Sequence, residues 1–162
     1  MNRAVDALGS HKDIMITSRY ITKDDYTLLA NSIASDEYHK ETTPDFFYED
    51  NTVCSVFEDE DGPVLFVKAT PFTFDSIVAI QFDIQYVKNE DAKRNMRAML
   101  AGFPIIEDRA RSTGFAGFLF QSESPLLRKF CVKRLGFYEL NPQFLGKVLV
   151  QVPLDSETGD AV

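Results

Sequence analysis

Residues 76–87 decide most about how this chain can fold. Ile80, Phe82, Ile84 and Tyr86 alternate with Gln81, Asp83 and Gln85, so a strand here has one apolar and one polar face. Helical spacing follows at once. Met96, Met99, Leu100, Phe103 and Ile106 share one face of a helix over roughly 92–112. Residues 115–121 then read as a strand again. Two strands joined by a long helical crossover pair in parallel. Upstream, residues 52–57 and 64–68 flank an acidic turn ending in Gly62-Pro63 and read as an antiparallel hairpin. A short loop containing Pro71 leads back to the long strand. The sequence therefore predicts an α/β fold with a mixed, mostly antiparallel central sheet, one parallel strand pair and helices on both faces.

Local signals fill in the rest. Residues 14–20 form a first strand. Thr22 reads as an N-cap with Asp25 completing a capping box, opening a helix with Tyr26, Leu29 and Ile33 on its apolar face. Residues 36–50 are a short helix or an irregular loop. Pro104 falls inside the long helix, where its missing N–H predicts a kink, and Gly114 closes that helix. Ser124 caps a helix with Pro125 at its first position, ending at Gly136. Residues 137–140 and 145–152 are the last strands. One domain is expected over 13–152, with a loose arm at 1–12 and a loose tail at 153–162.

The formal charge of −8, from 25 acids and 17 bases, excludes a duplex-binding surface. Fourteen phenylalanines point to a Phe-filled core. Cys54 and Cys131 read as buried free thiols in a reducing compartment. With only His11 and His39 present, a Cys–His enzyme is not expected, nor is a metal site. No signal-like start and no apolar run of roughly 20 residues is visible, so a soluble, cytoplasmic protein is expected.

Two stretches carry a family resemblance. Ile16-Thr17-Ser18-Arg19-Tyr20-Ile21-Thr22-Lys23-Asp24-Asp25 resembles the first strand and helix start of the GNAT superfamily, and Phe130-Cys131-Val132-Lys133-Arg134-Leu135-Gly136-Phe137 resembles the Tyr-x-x-Leu-Gly-Phe end of its fourth helix. Members of that superfamily move an acetyl group from acetyl-CoA to an amine. The resemblance covers roughly residues 14–150 and implies that the parallel pair is splayed to admit the pantetheine arm. It implies acetyl-CoA as co-substrate and a primary amine, on a small molecule or a protein, as acceptor. The alternative is an inactive scaffold of this fold that binds a protein partner.

The resemblance also places the cofactor loop. The family motif (Gln/Arg)-x-x-Gly-x-(Gly/Ala) falls on Ala92-Lys93-Arg94-Asn95-Met96-Arg97. Its glycines let a pyrophosphate approach the unpaired amides of a helix start. Here the glycines are missing: Asn95, able to take positive φ, stands for the first, and Arg97 replaces the small residue. The implied contacts are main-chain groups near Gln85 and Val87, with Lys93, Arg94, Asn95, Met96, Arg97 and Ala98 around the phosphates. Asp83, on the polar face of the long strand, is the candidate general base. Val132 stands where the family carries a Tyr that protonates the leaving thiolate, and Tyr138 is near it only in sequence. Asp45-Phe46-Phe47-Tyr48 reads as a lid over the acceptor groove or as a loop anchored by its phenylalanines.

Overall fold

The computed structural model describes residues 15–39 and 41–149. Both the arm at 1–12 and the tail at 153–162 lie outside the described residues. The elements are β1 (Thr17–Tyr20), α1 (Tyr26–Ala34), β2 (Val53–Asp59), β3 (Gly62–Phe74), β4 (Ile77–Tyr86), α2 (Ala92–Ser112), β5 (Gly117–Gln121), α3 (Pro125–Arg134), β6 (Tyr138–Glu139) and β7 (Phe144–Val148), with 3-10 turns at Lys23–Asp25 and Pro44–Tyr48. Seven strands form one sheet in the order β1-β2-β3-β4-β5-β7-β6. Only β4 and β5 pair in parallel among the recorded registers, which otherwise run antiparallel.

Two compact units divide these elements. The first comprises the chain to Lys68 together with Ile84–Gly102. Here β1 lies antiparallel to β2, from Thr17↔Glu58 to Tyr20↔Ser55. The capping box forms as the sequence predicts: Thr22 caps the turn and the Asp25 carboxylate accepts from the Thr22 amide at 2.8 Å. The same carboxylate takes a two-pronged contact from the Arg19 guanidinium, at 2.7 and 2.9 Å, which holds it below the usual carboxylate range. Leu29, Ile33, Phe47, Cys54, Val56 and Phe66 make the core. Tyr26 departs from the expected apolar face: it is exposed, and its hydroxyl donates to Asp45 at 3.0 Å. The first part of α2 packs tightly enough that a Cβ on Gly102 would overlap the Phe57 ring.

The second unit comprises Ala69–Asp83 and the chain from Phe103. β5 pairs with β4 over Ala79↔Gly117 to Phe82↔Phe120 and with β7 on its other edge. Its core is aromatic, as the composition suggests: Phe118 packs edge-on against Phe82 at 4.7 Å and stacks on Phe137 at 6.4 Å. α2 ends as the sequence predicts. Gly114 at φ 91° lets the Phe115 amide reach back to the Ala110 carbonyl at 2.9 Å. Lys147 ties the helix to the sheet through Glu107 at 2.7 Å.

One expectation changes. Pro71 lies inside β3, not in a loop, because the strand runs to Phe74 and turns through Asp75 and Ser76 at φ 49° and 69°, a two-residue turn matched to strand twist. Helix α2 is continuous from Ala92 to Ser112 with Pro104 in its interior. The short helix that the sequence allows within residues 36–50 is a 3-10 turn, Pro44–Tyr48, begun by a proline whose missing N–H costs nothing there.

Candidate functional site

Alternation along β4 sets the site. Ile80, Phe82 and Ile84 are buried, while Gln81 and Asp83 are half-buried. The polar strip does not stay open along its length, because Gln85 is fully buried. Burying an amide without partners costs roughly 1–3 kcal/mol, and Gln85 is fully partnered. Its Nε2 donates towards Asp36 Oδ2 at 3.0 Å, the Tyr86 carbonyl at 3.0 Å and the Ser32 carbonyl of α1 at 3.4 Å. Its Oε1 lies 2.8 Å from His39 Nδ1. Asp36, also buried, accepts from the Tyr38 amide at 2.9 Å and from Asn89 Nδ2 at 3.4 Å. On the opposite face of β4 the Tyr86 hydroxyl donates to Met99 Sδ of α2 at 2.9 Å. The strand end is thus held between α1 and α2 within the first unit.

The ladder with β5 stops at Phe82↔Phe120, whereas β4 continues to Tyr86. Just beyond, the Val87 amide donates to the Val64 carbonyl at 2.9 Å, so that amide is taken within the sheet. The chain then turns through Lys88–Asp91 into α2. The Asn95 amide bonds to the Asp91 carbonyl at 3.0 Å, which makes Asp91 the N-cap and leaves Ala92, Lys93 and Arg94 as the first-turn amides without an intrahelical acceptor.

This narrows the cofactor set that the motif implied. Asn95 is helical rather than at positive φ; its buried side chain clamps the Lys88 carbonyl at 2.9 Å. The amides of Asn95, Met96, Arg97 and Ala98 belong to the helix's own ladder, and Ala98 is core. Arg94 is drawn off to Asp59, with Nε–Oδ2 at 2.6 Å and Nη2–Oδ1 at 2.7 Å, and this pairing raises the guanidinium and lowers the carboxylate. Lys93 and Arg97 remain exposed.

In the second unit, Val132 and Tyr138 are exposed. A cleft of about 590 Å³ is lined by Pro125, Arg128, Lys129, Val132, Lys133 and Glu139. Arg128 is held there by the Gln143 carbonyl at 2.9 Å. The aromatic segment proves to be anchored: Phe47 is core, Phe46 covers the buried Lys68 ammonium at 3.2 Å, and the Tyr48 hydroxyl donates to the Thr22 carbonyl at 2.6 Å. Both cysteines are buried, which pushes each thiol up to about 12. No group of metal-ligating side chains occurs among the described residues, and no described helix is long and apolar enough to cross a membrane.

Sequence reading missed the group formed by Asp36, His39 and Asn89. The only local signal was the spacing of Asp36 and His39, three residues apart; their partner Gln85 is 46 residues from His39.

The fold is matched by solved structures. A domain from Methanocaldococcus jannaschii aligns at TM-score 0.66 and 13% identity over 84% of this chain and 99% of its own. The aminoglycoside 6'-N-acetyltransferase from Enterococcus faecium aligns at TM-score 0.62 and 11% identity over 85% and 99%. A putative acetyltransferase from Salmonella typhimurium, solved with its cofactor acetyl-CoA, aligns at 0.59 and 13% over 86% and 96%. The fold is that of the GNAT acetyltransferases. No family model and no curated protein matches the sequence. At such identities the likeness is one of fold, and it agrees with the GNAT resemblance read from the two sequence stretches.

Proposed function

We propose that this GNAT fold transfers an acyl group from acetyl-CoA to a primary amine of a small molecule or protein. The observation that carries the reading is the end of β4. The strand runs past its pairing with β5 and meets the first turn of α2, whose amides at Ala92, Lys93 and Arg94 have no intrahelical acceptor. Pantetheine would lie along the main chain near Gln85 and Val87, and the pyrophosphate would sit at those amides with Lys93 and Arg97 pairing its charge. The acceptor amine would attack the thioester directly in a ternary complex. On strand position, half-buried Asp83 is the base, taking an ammonium proton directly or through one water. Substitution Asp83→Asn is expected to lower turnover by roughly 10²-fold with acetyl-CoA affinity unchanged.

Two observations favour the second reading, a scaffold without transfer: Arg94 is committed to Asp59, and the loop lacks glycines. Calorimetric titration of the full chain with acetyl-CoA separates the two. Saturable binding weakened by Lys93→Glu supports transfer; the absence of binding overturns it.

A further inference from the structure

Gln85 fixes the proton on His39. Three acceptors surround the Gln85 nitrogen: Asp36 Oδ2, the Tyr86 carbonyl and the Ser32 carbonyl. A flipped amide would set its oxygen against all three, so the nitrogen must be the group that faces them. Oε1 is then the atom facing His39 Nδ1 at 2.8 Å, and it can only accept. Nδ1 therefore carries a hydrogen, and in the neutral ring the lone pair is on Nε2. The buried Asp36 carboxylate, 3.4 Å from Nδ1, supports the same tautomer. The His39 side chain is 37% exposed, so the ring is held at one edge and accessible elsewhere.

The position suits the proposed reaction. His39 is bonded to Gln85 on the strand end, and Asp36 is bonded to Asn89 in the turn that feeds the first turn of α2. The imidazole therefore stands beside the main chain along which the thioester would lie. Imidazole is the side chain best suited to exchanging protons near neutral pH.

We infer that the chain holds a second general base, His39, oriented by Gln85 and Asp36, which takes a proton from the acceptor ammonium alongside Asp83. This rests on the acyl-transfer reading. The ammonium loses one proton to Nε2. The freed amine nitrogen bonds to the thioester carbonyl carbon, the carbon–sulfur bond breaks, and the second nitrogen proton passes to the thiolate, giving free CoA. Nε2 returns its proton to solvent. Gln85 and Asp36 are positioning residues.

Two measurements on the full chain test the role. The first is histidine ring NMR, with the His11→Ala variant to leave one signal, since the chain has two histidines. The Nδ1–H tautomer is expected; an Nε2–H tautomer overturns the inference without reference to activity. The second is CoA thiol release from acetyl-CoA with a polyamine, an aminoglycoside and a lysine peptide as acceptors. His39→Asn keeps an N–H for Gln85 but removes Nε2. Turnover should fall by about 10²–10⁴-fold, with acetyl-CoA binding intact and partial rescue by added imidazole. Full turnover in His39→Asn beside an active wild type overturns the role of His39 alone. A wild type inert with every amine overturns that role together with the transfer reading.

Discussion

The two units solve the burial problem in opposite ways. In the second, the buried side chains among the described residues are apolar, dominated by Phe82, Phe103, Phe118, Phe120, Phe130 and Phe137. In the first, Asp25, Ser32, Asp36, Ser55, Lys68, Gln85 and Asn95 are all buried. A buried polar group must be partnered or it destabilises the fold. Most of these serve structure: Asp25 holds Arg19 and the cap, Lys68 pairs with Glu49 at 2.7 Å, and Asn95 clamps the turn before α2. The Gln85–Asp36 pair differs because its chain of hydrogen bonds ends on a half-exposed imidazole. Buried polar groups are thus gathered in the first unit and aromatic packing in the second.

The largest expected effect lies in the aromatic unit. Phe118→Ala removes a buried ring touching Phe82 and Phe137 and should cost about 3–5 kcal/mol in denaturant unfolding. A loss below about 1 kcal/mol would mean that this core is not close-packed, and the contrast would fail. Next is Gln85→Leu, which leaves His39 Nδ1 and Asp36 Oδ2 without their shared partner. A loss of about 1–3 kcal/mol is expected, with transfer activity falling far more than stability does. Equal loss in both would reduce the cluster to scaffolding.

Acid sharpens the comparison further. Asp25 and Asp59 are both held below the usual carboxylate range by guanidinium partners, Arg19 and Arg94. A lowered folded pKa stabilises the fold above the unfolded value, near pH 4, and the benefit is lost as pH falls through the folded value. Melting temperature should therefore drop below about pH 4, and Asp59→Asn should shed part of that drop. An unchanged acid limb in the variant would remove the Arg94 pair from the stability of this unit. The smallest effect is a null one: Cys54 and Cys131, with thiols raised to about 12, should resist a disulfide reagent in the native protein and react on unfolding.

What the sequence made legible was local. The Thr22–Asp25 capping box, the Ser124-Pro125 helix start, the Gly114 helix stop and the β4–α2–β5 crossover each depend on residues a few positions apart or on a period. What stayed hidden depends on pairing across the chain. Arg94 looked like a phosphate ligand because its partner Asp59 lies 35 residues away. Gln85 looked like part of an open strip because alternation gives the face of a side chain but not what covers it. His39 attracted no role because nothing within its own segment orients it.

Hydrogen exchange of the full chain with and without acetyl-CoA tests most directly whether the site is at the polar strand end. Protection of the segment from Gln85 to Asn95, strongest at the first-turn amides of α2, is the expected result. Protection confined to the α3 cleft around Val132, or none in either place, would contradict it.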